Sequence, residues 1–203
     1  MKINKKGGEK MKKMNLCIDI DGTVTEPYYW LERANRYFDR QLQPEDITAY
    51  EFHKMLDVEE DDYNEFYELY GKLLHKESKA RFGASEGIQR LYQQHNIHFV
   101  TARDEKLRET SIEWLEKHRM PMDSIYLLGS YYKVDKAREL NSDIFIEDHY
   151  NNALQLAKAG FEVLLIDCTY NRGPLPENVT RVKNWFEIEN LVKIKAQSMK
   201  TVS

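Results

Sequence analysis

The sequence predicts an α/β protein: a Rossmann-like parallel sheet flanked by helices, with a small all-helical segment inserted after the first strand. Three observations carry that expectation. Short apolar runs alternate with amphipathic helical stretches from residue 84 onward, as in strands joined by crossover helices. The first run, residues 16–20, closes on Asp-Gly-Thr, which suits a buried strand followed by a tight loop. Between that run and the second one, residues 27–83 carry helical periodicity only. With 203 residues, 41% hydrophobic and 32% charged, the chain can bury a sizeable core unaided, and collagen-like or disordered readings are excluded.

Taken in order, residues 1–14 are Lys-rich and aperiodic, and read as a flexible, solvated tail. Residues 15–26 and 84–195 form the α/β core, and residues 27–83 the helical insert. Pro27 suits the first turn of a helix whose apolar stripe is Trp30, Leu31, Ala34, Tyr37 and Phe38. A second insert helix spans 59–78, with Tyr63, Phe66, Tyr67, Tyr70, Leu73 and Leu74 recurring every three or four residues as packing positions. Helices near 85–94, 104–118, 134–140 and 152–159 then alternate with strands at 97–101, 125–128, 144–146 and 163–166. Pro121 and Gly160 punctuate that series, and a last helix, near 185–194, starts on Asn184-x-x-Glu187.

The net charge is −4, but residues 1–14 hold six Lys against one Glu, so the rest of the chain carries −9. An acidic body argues against a nucleic-acid polymer as partner. No run of about eighteen apolar residues exists, so neither a membrane span nor a leader is expected, and a cytoplasmic protein is. Cys17 and Cys168 support neither a disulfide framework nor a zinc site and read as ordinary reduced thiols.

Ligands of open parallel sheets bind beyond the carboxyl ends of the strands. There this sequence sets Asp19 and Asp21, Thr101 with Ala102 and Arg103, Lys133, and Glu147-Asp148. Two carboxylates one residue apart repel, which raises a pKa or demands a cation. Mg²⁺ answers that demand, since it takes a few carboxylate oxygens and keeps waters and phosphate as its other ligands. Thr101 and Lys133 then donate to phosphoryl oxygens. Lys136 rivals Lys133 on the same helix face, and Lys133 is preferred because it lies nearer the strand end.

In that order the four segments resemble the haloacid dehalogenase-like superfamily, in its phosphatase branch: Asp-Ile-Asp-Gly-Thr at 19–23, Thr101, Lys133 and the acidic pair at 147–148. The helical insert resembles that family's cap domain. A closer resemblance, to the 5'-nucleotidase group of deoxyribonucleotidase-like proteins, rests on residues 46–52, 101–103 and 169–172 and on Asn184-Trp185; it covers roughly residues 15–190. Glu147 stands where that group often has a second Asp.

The resemblance implies a Mg²⁺-dependent phosphomonoesterase acting on (deoxy)nucleoside monophosphates. In it Asp19 attacks phosphorus, forming an aspartyl-phosphate, and Asp21 protonates the leaving alkoxide and then activates water. It further implies Mg²⁺ on Asp19, the Asp21 backbone carbonyl and Asp148, with Asn151 or Asn152 supporting its waters. Thr23, Ala102, Arg103 and Tyr50 are the expected substrate contacts, with Tyr28, Tyr29, Trp30 and Phe52 as further candidates. Of the histidines only His149 lies near the site, and it reads as structural. A sugar-phosphate phosphatase and a non-catalytic binding protein are the alternatives. A dehalogenase would not need Asp21, and a receiver domain would lack the insert.

Overall fold

The computed structural model describes residues 12–199. Six parallel strands form one sheet in the order β3-β2-β1-β4-β5-β6. They are β1 Asn15–Ile18, β2 Asn96–Thr101, β3 Ser124–Leu127, β4 Ile144–Glu147, β5 Val163–Ile166 and β6 Val179–Val182. The register sets Leu16 of β1 between Ile97 and Ile144. Every residue of β4 and β5 is buried, which is why these strands read as continuous apolar runs and not as alternating ones.

Side chains alternate across the sheet and feed two cores. Leu16 and Ile18 join Ala84, Ile88 and Leu91 of α4 (Ala84–Tyr92), Trp114 and Leu115 of α5 (Arg108–Lys117), and Trp185, Ile188 and Val192 of α8 (Trp185–Ser198). Cys17 and Phe145 join Val134 and Ala137 of α6 (Val134–Glu139) and Ala153 and Leu156 of α7 (Tyr150–Lys158) on the opposite face. The layering is helix, sheet, helix, as the sequence predicts.

Helices α1 (Leu31–Phe38), α2 (Phe52–Leu56) and α3 (Glu60–Glu77) lie between β1 and β2 in the chain and pack around a third cluster, centred on Trp30, Leu31, Leu56, Phe66 and Leu74. Cys168 and Tyr170, from beyond β5, join that cluster. The chain enters and leaves this segment side by side. Thr25 and Ala80 form an antiparallel bridge, Glu26 N–H donates to Lys79 O at 2.9 Å, and Arg81 N–H donates to Val24 O at 2.8 Å.

Three expectations are corrected, and two elements are unpredicted. Residues 1–11 of the expected tail lie outside the described residues, but Met14 is fully buried in the core and Lys12 pairs with Asp143 at 2.9 Å. Pro27 belongs to a turn and not to a helix: α1 begins at Leu31, behind an N-cap at Trp30. Helix α2 and strand β6 have no counterpart in the sequence reading: five residues are too few to show helical periodicity, and β6, Val-Thr-Arg-Val, interrupts its two buried valines with polar residues and so lacks an apolar run. Leu73, expected among the packing positions of α3, is 38% exposed, and Gly71 and His75 are buried on that helix in its stead.

Trp114 is 2% exposed, and its indole N–H donates to Ser78 O at 2.8 Å, tying α5 to the end of the insert. Trp114→Ala should cost about 3–5 kcal/mol in urea denaturation, the range for emptying a large aromatic from a close-packed core. A loss under about 1 kcal/mol would contradict this packing.

Candidate active site

The strand order reverses between β1 and β4, so the connections that follow these two neighbours run to opposite faces and leave a crevice at their carboxyl ends. Asp19 directly follows β1, and its N–H donates to Ile146 O at 3.0 Å, carrying the ladder one residue past the strand. Glu147 ends β4 and Asp148 follows it; Thr101 ends β2; Lys133 is the N-cap of α6. All five are at most 5% exposed.

Lys133 is the hub. Its ammonium donates to Asp19 Oδ1 at 2.5 Å and to Glu147 Oε2 at 2.8 Å. Glu147 Oε1 also accepts the His149 N–H at 3.1 Å. One oxygen from each of Asp19, Glu147 and Asp148 lies within 4.8 Å of the other two. Three buried carboxylates therefore face one ammonium. Burial, with Glu147 and Asp21 nearby, pushes the Asp19 carboxyl up to about 7 against the pull of Lys133. Burial, then Glu147 and Asp19, push Asp148 well above the usual carboxylate range.

Asp148 is held from three directions. Tyr170 OH donates to its Oδ2 at 2.6 Å, Thr23 OH to its Oδ1 at 3.4 Å, and Asn171 Nδ2 to its backbone carbonyl at 2.7 Å. Gly22, at φ +73°, leaves room for this: a Cβ there would stand 2.2 Å from Asp148 Oδ2 and 2.6 Å from the Tyr170 hydroxyl.

Asp21 looks the other way. Arg103 grips it with two hydrogen bonds, Nε to Oδ2 at 2.8 Å and Nη2 to Oδ1 at 2.7 Å, while its third nitrogen donates to Ser111 Oγ at 2.9 Å. Tyr29 OH donates to Asp21 Oδ1 at 3.0 Å, and His75 Nδ1 lies 3.2 Å from the same oxygen. His75 Nε2 meets Tyr67 OH at 2.6 Å. Burial, then the Arg103 guanidinium, lower the His75 pKa; a neutral ring with its proton on Nδ1 would donate to Asp21 and accept from Tyr67 at Nε2. Burial alone would raise Asp21, but the Arg103 guanidinium and His75 outweigh it and hold the carboxyl well below its usual range.

The expected residues divide accordingly. Asp19, Lys133 and Asp148 come together, with Glu147 completing the group. The Asp21 carboxylate stands apart on Arg103, and Thr23 spends its hydroxyl on Asp148. Thr101 is buried at the rim, where its Oγ1 accepts the Arg103 N–H at 3.3 Å; Ala102, between them, is half-buried. Tyr50 packs against His149, ring centroids 3.9 Å apart. Lys136 turns away to Glu139, at 2.5 Å, and lies over the Tyr126 ring. Asn151 is exposed; Asn152 is buried, with an Oδ1 that no described residue satisfies. Sequence reasoning missed His75. Its signal is the spacing Tyr67, Gly71, His75, which sets it on the inward face of α3, where an imidazole needs polar partners.

The donor set fits a hard divalent cation. It is all oxygen and carries an excess of negative charge that Lys133 alone does not cancel, the preference of hard cations and not of zinc. Both cysteines are buried free thiols, and neither is among those donors. Among the described residues no helix is long and apolar enough to cross a membrane.

The Asp19 shift has a sign that can be checked. Unfolded, this carboxyl binds its proton near its ordinary 3.8; folded, near 7. Between those values the folded state holds more protons, so its stability rises as pH falls through that window. Metal-stripped protein should therefore melt at a higher temperature at pH 5.5 than at pH 8 by this contribution, and the difference should shrink in Asp19→Asn. An unchanged difference in that variant would contradict the assignment.

Comparison with known proteins agrees with this geometry. The model of the family described as 5' nucleotidase, deoxy (pyrimidine), cytosolic type C matches residues 13–199. A nucleotidase of Clostridium acetobutylicum is 49% identical over 182 residues, covering 90% of this chain and 95% of that one. YqfW of Bacillus subtilis is 32% identical over 175 residues, covering 86% and 91%. Among solved structures, a haloacid dehalogenase-like family hydrolase from Streptococcus pneumoniae superposes with a TM-score of 0.68 at 17% identity, over 89% of this chain and 98% of that one. A D,D-heptose bisphosphate phosphatase from B. bronchiseptica, complexed with magnesium and phosphate, gives 0.54 at 15% identity, over 90% and 99%. With its fold, its strand-end acids and these matches in agreement, the chain belongs to the cytosolic type C 5'-nucleotidase family, phosphomonoesterases of the haloacid dehalogenase-like superfamily.

Proposed function

We propose that this protein is a Mg²⁺-dependent 5'-nucleotidase that hydrolyses (deoxy)nucleoside monophosphates through a phosphorylated Asp19. The observation that carries the reading is the clustering of Asp19, Glu147 and Asp148 around Lys133 at the strand switch point. The family and the Clostridium relative support the nucleotide as substrate. The family's cytosolic description supports a cytoplasmic location.

Mg²⁺ would be held by the Asp19 and Asp148 carboxylates and the Asp21 backbone carbonyl. It would supply the positive charge that lets a phosphate dianion approach these acids. Glu147 stays with Lys133 and fixes its ammonium beside Asp19. Asp19 Oδ attacks phosphorus in line; the new P–O bond forms as the bond to the nucleoside 5'-oxygen breaks. Lys133 and the Thr101 hydroxyl donate to the phosphoryl oxygens.

Asp21 gives the departing 5'-oxygen its proton and then takes one from the water that hydrolyses the aspartyl-phosphate. Paired with Arg103 as it stands, Asp21 is held ionised and cannot donate. The reading therefore has Arg103 exchange this carboxylate for the substrate's phosphate, whose oxygens match the same planar fork. Helices α1–α3 act as a cap over the site, and Tyr29 and His75 carry the cap's contacts to Asp21.

The test is phosphate release across deoxyribonucleotides, ribonucleotides and sugar phosphates, with and without Mg²⁺. Asp19→Asn should lower kcat by at least about 10³-fold, the scale of losing a covalent nucleophile. Lys136→Ala should leave it unchanged, whereas Lys133→Ala should lose it. A better rate on sugar phosphates, full activity in chelator, or the reverse lysine result would each contradict this account. Asp21→Asn should slow alkyl phosphates more than p-nitrophenyl phosphate, whose leaving group departs without a proton. Equal losses on both would remove Asp21 as the acid.

A further inference from the structure

Three aromatic rings from three separate segments meet beside the carboxylate cluster. Tyr50 comes from the segment between α1 and α2, Tyr131 from the loop between β3 and Lys133, and His149 directly follows Asp148. Tyr50 and His149 are 3.9 Å apart between ring centroids, Tyr131 and His149 5.5 Å at an interplanar angle of 33°, and Tyr50 stands edge-on to Tyr131 at 6.0 Å and 89°. Tyr50 is half-buried.

Tyr131 differs from its partners: it is 56% exposed, and Tyr132 beside it is 49% exposed. Yet Tyr131 is not remote from the chemistry. Two residues on, Lys133 reaches Asp19. Burial, then the fields of Asp21 and Asp19, raise the Tyr131 pKa, although more than half of the residue is open to solvent. Tyr50 and His149 brace that ring from behind, which lowers the entropy a ligand would lose in ordering it. A solvent-open aromatic side chain two residues from Lys133 and packed on the residue after Asp148 offers a π-face that a sugar cannot use and a nucleobase can.

We propose that Tyr131, braced by Tyr50 and His149, is the stacking platform for the nucleobase and hence a specificity-determining residue. The proposal rests on the nucleotidase reading for its substrate and names the residue that separates nucleotides from base-free phosphates. Tyr131 and His149 belong to the α/β core and Tyr50 to the insert, so the platform is complete when the insert packs on the core.

The test compares a deoxyribonucleoside 5'-monophosphate with 2-deoxyribose 5-phosphate, in steady-state kinetics with Mg²⁺ and in calorimetric binding to Asp19→Asn protein, which does not consume the ligand. Tyr131→Ala should raise KM and Kd for the nucleotide roughly tenfold, the scale of one lost base–aromatic stack, with kcat within about twofold. Both constants for the sugar phosphate should stay unchanged. Tyr131→Phe should match the unsubstituted protein, and Tyr131→Leu, which keeps apolar bulk without a π-face, should behave as Ala does. Equal losses on both ligands, or none, would overturn the platform. A nucleotide that binds in this Tyr131-dependent way but is never hydrolysed would sink the nucleotidase reading and leave the platform standing.

Discussion

Everything at the carboxyl edge of this sheet answers to one constraint: three buried carboxylates share one ammonium. Asp19, Glu147 and Asp148 approach within 4.8 Å of one another, and Lys133 satisfies only the first two directly. Two unit charges about 4 Å apart interact by roughly 4 kcal/mol even at an effective dielectric of 20, so the excess negative charge is costly wherever no cation cancels it. The fold bears that strain through rigid placement. Strands β1 and β4 deliver Asp19 and Glu147, Gly22 clears space for Asp148, and Tyr170, Thr23 and Asn171 fix its orientation. A site so short of positive charge is preorganised for a divalent cation and, behind it, for a phosphate dianion.

Two residues along the chain, Asp21 meets the opposite environment. Arg103, Tyr29 and His75 all turn toward it, and its carboxyl is held low while that of Asp19 is driven to about 7. Pushing the pKa values of neighbouring acids apart is how one site gives two carboxylates different tasks. The two knots are also anchored differently. The Asp19 group draws only on core elements, whereas Asp21 is tied to α3 through His75 and to the neck of the insert through Tyr29.

Much of this was legible in the sequence for a physical reason. Parallel strands buried on both faces leave uninterrupted apolar runs, and polar residues that end such runs, such as Asp19, Thr101 and Asp148, fall on the ligand-binding rim of the sheet. That Lys133 and not Lys136 stands beside Asp19 also follows from position, since a helix N-cap lies nearer the strand end than the next turn. What stayed hidden depends on contacts distant in sequence. Arg103 is an expected substrate contact, and its pairing with Asp21 joins residues 82 apart, which leaves no local signal. His75 reaches the site only because α3 folds back over it, and Met14 looked like tail because a single apolar residue after a Lys-rich stretch has no period to betray its burial. Strand β6 pairs only with β5 at the sheet edge, where four residues suffice.

The central claim is that the charge imbalance at Asp19, Glu147 and Asp148 is met by a divalent cation. The most direct measurement is the melting temperature of metal-stripped protein titrated with Mg²⁺, beside the same titration of Asp148→Asn. A ligand that binds only the folded state raises the melting temperature in proportion to the logarithm of its concentration once above its dissociation constant. The account predicts that rise in the unsubstituted protein and its loss in the variant. A melting temperature indifferent to Mg²⁺, or a rise that survives unchanged in Asp148→Asn, would contradict it.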